Sequence, residues 1–239
     1  MVATMDNHGW DQRFADNPQH FGAGPNTLLE RHASELTPGS AADVGCGQGR
    51  NTAWLLGRGW DVTAVDFSEV ALRHTREAAQ AAAHVPDAIA EAAVAEDDAA
   101  RAEAGKTPKT EGPAGTDSAA GTAEVAHVPT LTTVQADVSE WRPEETFDLV
   151  VAAYLHLPTE KMAATWEHLV EITAPGGTLV VVGHDRDNEG NGPNDPDVLF
   201  HAADVVAKLP DTWTIEVAEA VDRGEGSIDA LVVATAPKK

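Results

Sequence analysis

The sequence predicts a doubly wound α/β fold whose sheet is mostly parallel, holds about seven strands and closes with a C-terminal antiparallel hairpin. Three observations carry that prediction. Short apolar runs alternate with helical stretches from residue 41 onward, which is the rhythm of βαβ units. A glycine-rich turn, Gly45-Cys46-Gly47-Gln48-Gly49, follows the first apolar run directly. Near the C-terminus the rhythm stops, and two extended runs, 212–221 and 228–234, are joined through Arg223-Gly224-Glu225-Gly226-Ser227, which reads as a hairpin.

Taken in order, residues 26–35 read as a short helix and Thr37-Pro38-Gly39-Ser40 as a turn. Residues 41–44 are the first strand, and a helix over 49–58 follows, stopped by Gly59. Residues 61–65 are the second strand, with Ser68 as the N-cap of a helix over 69–83. Residues 131–136 make a strand that ends at Asp137. The run 147–153 is almost continuously apolar, as expected of a parallel strand covered on both faces. Residues 159–173 are helical, Pro175-Gly176-Gly177 turns the chain, 178–183 is another buried strand and 198–209 a helix. A parallel sheet that closes with a hairpin is not the dehydrogenase arrangement.

At 239 residues and 42% hydrophobic composition the chain is expected to form a single domain over 1–239, with 1–40 as an N-terminal lid and helix. The segment 86–129 is an Ala- and acid-rich insertion, partly disordered, with nine acids against three bases and few large apolar residues; it cannot bury enough surface to offset its ordering entropy. A net charge of −23, from 39 acids and 16 bases, argues against a nucleic-acid partner, which would need clustered Lys and Arg. The lone cysteine, Cys46, excludes an internal disulfide and a multi-thiolate zinc site. No basic, apolar leader opens the chain and no uninterrupted apolar run approaches ~18 residues. The expected protein is cytoplasmic, without a membrane or metal, a monomer or homodimer acting on a small molecule.

Glycines at alternate positions after a strand let the backbone turn sharply and let a ligand approach where side chains would block it. Asp66, about twenty residues on, stands where a carboxylate accepts the hydroxyls of an adenosine ribose. Dinucleotides and S-adenosylmethionine both present that ribose. Asp43, two residues before the first glycine, separates them: at ~6 Å and an effective dielectric of ~20 it would oppose a pyrophosphate by about 3 kcal/mol, whereas it favours an ammonium and a sulfonium. Gly49 also falls one residue too early for the dinucleotide pattern G-x-G-x-x-G.

In order along the chain, DVGCGQG, the VDFS and QADV strand ends, FDLVVAAYLHLP, APGGTLVVVGH and the terminal hairpin resemble the class I S-adenosylmethionine-dependent methyltransferases, with their Rossmann-like sheet. Trp10-Asp11-Gln12-Arg13-Phe14 and the Arg50-Asn51 pair after the glycines are most similar to the small-molecule enzymes related to tellurite-resistance and thiopurine methyltransferases. The resemblance implies that Gly45, Cys46, Gly47 and Gly49 pass beneath the methionine and ribose of the donor, with Asp43 toward the ammonium and Asp66 on the ribose. It further implies Phe67 beside the adenine, Asp137 and the Val138 amide at the adenine edge, and Ala152 and Ala153 near the methionine. A nucleic-acid aminomethyltransferase would carry Asn or Asp followed by Pro-Pro after the fourth strand; Ala152-Ala153-Tyr154-Leu155 stands there instead.

Open parallel sheets bind ligands beyond the C-terminal ends of their strands, so the methyl acceptor is expected to meet Tyr154, His156, His184 and Asp185. His156 is the expected general base, with Tyr154 as its catalytic companion. Trp10, Phe14, His20 and Phe21 form a candidate lid over the acceptor, and Arg13 a contact for an anionic one. The loop Asp185-Arg186-Asp187-Asn188-Glu189-Gly190 has alternating acids before a glycine, but Pro196 occupies the twelfth position, where a calcium loop needs glutamate. The expected reaction is methyl transfer to a soft nucleophile of the thiol, selenium or tellurium type, as in detoxification. The alternatives are O-methylation of a phenolic or quinol-like acceptor, a non-catalytic S-adenosylmethionine-binding sensor and, third, a nucleotide-dependent oxidoreductase.

Overall fold

A computed structural model of the chain describes residues 7–17, 22, 24–83, 127–193 and 195–239. His20, Phe21 and nearly all of the 86–129 insertion lie outside the described residues. Among those described, the helices are α1 (Asn7–Asp16), α2 (Thr27–Ala33), α3 (Arg50–Gly57), α4 (Glu69–Ala83), α5 (Thr159–Glu171) and α6 (Ala202–Val206). The strands are β1 (Ser40–Val44), β2 (Asp61–Asp66), β3 (Leu131–Gln135), β4 (Phe147–Ala153), β5 (Thr173–His184), β6 (Thr214–Asp222) and β7 (Ile228–Thr235).

The strands form one seven-stranded sheet in the order β3-β2-β1-β4-β5-β7-β6. The first five are parallel, and β7 runs antiparallel between β5 and β6. Chain order reverses between β1 and β4, so the loops leaving their C-terminal ends splay apart there and open a crevice. The two faces of the sheet are covered separately. Val150, Ala152, Leu179 and Val181 pack under Met162, Trp166 and Leu169 of α5. Their alternating neighbours Leu149, Val151, Val180 and Val182 pack under Leu28 and Leu29 of α2, Leu55 of α3 and Trp60. The period of two along each strand feeds both layers.

Three elements differ from expectation. The Pro175-Gly176-Gly177 turn lies within β5: Phe147 pairs with Thr173 but Leu149 with Thr178, so the glycines form a bulge. The expected helix over 198–209 shrinks to α6, because Phe200 bridges to Asp185 and Asp204 accepts the His201 N–H at 2.9 Å, starting the helix late. The N-terminal region, expected as a lid and a helix with no element read before residue 26, contains the additional helix α1. Elsewhere caps explain the starts. The Asn26 side chain accepts from the amides of Leu28 and Leu29, while the Asn26 backbone N–H donates to Asn51 Oδ1 at 2.9 Å, tying α2 to α3. No helix among the described residues is long and apolar enough to cross a membrane.

Candidate functional site

The site begins with the turn from β1 into α3. Gly45, Gly47 and Gly49 have φ of +74°, +55° and +78°, a region that side-chain-bearing residues avoid. Gly49 also presses on its neighbour, since a Cβ there would stand 2.7 Å from the Thr75 Cα. Gly47 by contrast would meet only an ordinary contact, with Phe14 Cζ 3.9 Å from where its Cβ would be. The Gly47 amide donates to Asp66 Oδ2 and the Ser68 amide to Asp66 Oδ1, both at 2.9 Å. The glycine turn and the second acid, 19 residues apart, are thus joined directly.

Asp43 is buried and accepts the Thr52 hydroxyl at 2.6 Å. Burial, helped by the nearby charge of Asp66, pushes it up to about 6 despite the Thr52 bond. Asp66 is raised as well, by burial first and by Asp11 of α1 in smaller measure, against the three amides that lower it. Two desolvated acids beside a glycine cradle make a site that gains from a cationic ligand, which fits a donor carrying an ammonium and a sulfonium. Burial and the same two acids raise the Cys46 thiol, so it is held protonated as turn filling and is no nucleophile.

Helix α1 lies over this turn. Phe14 is almost fully buried and stacks on Trp10 at 5.2 Å, with the Arg13 guanidinium 5.3 Å from the Trp10 ring. Gln48 donates to the Asn17 carbonyl at 2.8 Å, and Ser68 Oγ donates to Asp11. Phe14, expected against the acceptor, lies beside Gly47 of the glycine loop, and Trp10, expected there too, stacks on Phe14.

On the adenine side, Phe67 is half-buried after β2 and its carbonyl accepts from Gln135 at 3.2 Å. Val138 is buried. The Asp137 carboxylate is largely occupied: Oδ1 takes the Ser139 amide and hydroxyl at 2.9 and 2.7 Å, and Oδ2 lies 3.3 Å from Lys161 Nζ. Burial alone would raise it, but Ser139 and Lys161 outweigh that and hold it below the usual carboxylate range.

Across the crevice β4 delivers Ala152 and Ala153 and then Tyr154, whose φ of +57° is a strained choice for a residue with a side chain, costing about 1–3 kcal/mol. Its hydroxyl donates to Asp229 Oδ2 at 2.7 Å. Burial and that acidic partner push Tyr154 up to about 12, so it is a fixed hydrogen-bond donor. Arg223 Nε reaches the same Oδ2 at 2.7 Å. The guanidinium carbons of Arg50 and Arg223 each lie 5.9 Å from the Tyr154 ring centre, within cation–π range. Asp229, Arg223 and Arg50 in this role escape a reading by motif. A lone acid inside the apolar run Ile228-Asp229-Ala230-Leu231-Val232 is the one sequence signal that a buried partner waits for it.

Two expectations are corrected by the geometry. His156 has both ring nitrogens engaged by backbone, Nδ1 with the Val198 carbonyl at 2.9 Å and Nε2 with the His184 amide at 3.2 Å. Burial lowers it to about 4, the Val198 bond notwithstanding. A neutral ring with both nitrogens engaged speaks against His156 as the base and places it as a framework group. Asp185 is turned inward, its Oδ1 taken by His201 Nδ1 and by the Asp187 amide, both at 2.9 Å; it is buried and presents no edge to an acceptor. Asp185, Asp187 and His201 bring ligand atoms within 4.8 Å of one another, but the bonds just given account for the shape of that loop. His184 does reach the cluster, 4.8 Å from the Tyr154 ring and stacked on His156 at 5.3 Å.

Sheet order, glycine turn and paired acids are those expected of the class I S-adenosylmethionine-dependent methyltransferase fold, and a family model matching part of the chain points the same way. More narrowly, residues 5–100 match the model of the thiopurine S-methyltransferase family. Solved structures with this fold include the N-methyltransferase NodS from Bradyrhizobium japonicum WM9 with S-adenosyl-L-homocysteine, at 15% identity and TM-score 0.64 over 98% of this chain and all of that one (100%). TehB from Haemophilus influenzae is similar at 16% identity and TM-score 0.58, over 96% of this chain and 67% of that one. The DhpI complex with S-adenosyl-L-homocysteine is similar at 16% and 0.58, over 97% and 95%. Among curated proteins none matches the sequence.

Proposed function

We propose that the chain transfers the methyl group of S-adenosylmethionine to a small acceptor whose nucleophile is soft, a thiol or a selenium- or tellurium-type centre, in a detoxifying role. When bound, the donor supplies a methyl carbon made electrophilic by an adjacent sulfonium. Gly45, Gly47 and Gly49 form its cradle, Asp66 takes the ribose hydroxyls and Asp43 favours the ammonium through the buried acid environment of the turn. Phe67, Val138, Ala152 and Ala153 complete the donor wall. Asp137 has the weakest claim there, since its own turn and Lys161 occupy its oxygens.

The observation that carries the acceptor reading is the charge balance around Tyr154. Two guanidinium groups converge on that ring against one fully buried carboxylate, Asp229, so cations outnumber acids at the ring itself in a chain of net charge −23. Such a site stabilises an acceptor that carries or develops negative charge, as a thiolate or chalcogen oxyanion does. The matched family is described by sulfur methylation, which points the same way. Because the displacement is in line, alignment and exclusion of water supply most of the catalysis. Helix α1, already seated over the glycine turn, contributes that exclusion.

Calorimetry with S-adenosylmethionine and S-adenosylhomocysteine tests the donor site, and release of S-adenosylhomocysteine across thiols, selenite, tellurite and phenols tests the acceptor. Binding of both nucleosides with turnover of a soft acceptor is expected. Binding with no turnover of any acceptor would make the chain a sensor, and a preference for phenols would move the reaction to oxygen.

A further inference from the structure

Asp229 on β7 and His184 at the end of β5 pair in register on adjacent antiparallel strands, which sends their side chains out on one face. Asp229 is fully buried and its Oδ2 is used twice, by Tyr154 and Arg223. Among the described residues its Oδ1 has no hydrogen-bond partner, and neither has His184 Nδ1. These two orphaned atoms face each other at 3.5 Å. Leaving a buried polar atom unsatisfied is costly, and the assignment that eases both is a proton on Nδ1, drawn toward the Oδ1 charge. We propose that His184, oriented by Asp229, is the proton acceptor for the methyl acceptor, an inference that rests on the methyl-transfer reading above.

A proton on Nδ1 leaves the lone pair on Nε2. That nitrogen is not among the buried orphaned atoms, and the His184 side chain keeps 16% of its surface exposed; Gly192 lies against the ring face, where a Cβ would intrude to 2.7 Å. The ring is held from the other sides by Tyr154 and by His156, which is stacked on it at an interplanar angle of 14°. The groups facing His184 are Asp229, Tyr154 and His156, with Arg223 behind Asp229. His156, neutral for the reasons given, adds no repelling charge. This carboxylate–imidazole arrangement fixes tautomer and ring orientation, as a buried aspartate does in hydrolase triads.

The step balances as follows. The acceptor X–H bond breaks, its proton passing to Nε2 and its electron pair forming the X–CH3 bond. The pair of the broken S–CH3 bond remains on the departing thioether sulfur, and the imidazolium then returns the proton to solvent.

The deciding measurement needs no acceptor. Long-range 1H–15N NMR of the full chain at mildly alkaline pH is expected to show His184 protonated on Nδ1 and bare on Nε2, and Asp229→Asn is expected to abolish that preference. An Nε2–H tautomer in the unmodified chain overturns the proposal. A kinetic arm compares 2-mercaptoethanol, a protonated thiol at neutral pH, with thiophenol, largely ionised. His184→Gln should lower the rate with the former by about 100-fold and by at least ~10-fold more than with the latter; equal losses overturn the proposal. Failure of the unmodified chain to bind S-adenosylmethionine in calorimetry would instead remove the methyl-transfer reading while leaving the tautomer assignment standing.

Discussion

Lowering the pH should expose two opposed buried groups in the same window. His156 falls from 6.5 to about 4 on folding because burial disfavours its charged form. Asp43 rises from 3.8 to about 6, again mainly through burial. For His156 the unfolded chain takes up a proton as pH drops below 6.5 and the folded chain does not, so stability is lost between 6.5 and 4. For Asp43 the folded chain takes up the proton first, so stability is gained between 6 and 3.8. At 1.36 kcal/mol per pH unit, each effect amounts to about 3 kcal/mol, and they nearly cancel in the unmodified chain. His156→Gln, whose amide can still donate to Val198 and accept from His184, removes the loss alone. Urea unfolding across the window should therefore show this variant gaining about 3 kcal/mol relative to the parent as the pH falls. Asp43→Asn should show the reverse trend. Difference curves that stay flat with pH would refute the burial argument for both groups.

Asp66→Ala should weaken S-adenosylmethionine binding at least ~10-fold in calorimetry, because charged hydrogen bonds lost to the ribose cost over ~1.4 kcal/mol. Gly49→Ala and Gly47→Ala should separate folding from binding. The first drives a Cβ against the Thr75 backbone and is expected to cost about 1–3 kcal/mol in denaturant unfolding. The second has room, and should lose only about 1 kcal/mol of stability while impairing donor binding in calorimetry. Arg223→Met should raise KM for an anionic acceptor about 10-fold or more without altering donor affinity; an unchanged KM would remove the charge-balance argument.

The half of the site that comes from one stretch of chain was legible without a structure. Strand, glycine turn, helix and the acid ending the next strand are local features, each dictated by φ, by period and by spacing, and Gly47 meeting Asp66 follows from β1 lying beside β2. The acceptor half was not legible in the same way. Tyr154 and Asp229 are 75 residues apart, and His184 meets Asp229 only because β7 inserts antiparallel beside β5 with one register rather than another. No motif announces a register. His156 looked like a base because its type and position suit one, and only the positions of the Val198 carbonyl and the His184 amide show its nitrogens to be taken. Asp185 failed in the same manner, since sequence places a residue at a strand end without saying which way it turns.

The sequence by itself determined the class of fold and the glycine turn with its paired acids, because backbone conformation and spacing are properties of short segments. Only the tertiary structure decided which side chains face one another across the crevice, since burial, proton position and ion pairing depend on atoms brought together from distant strands.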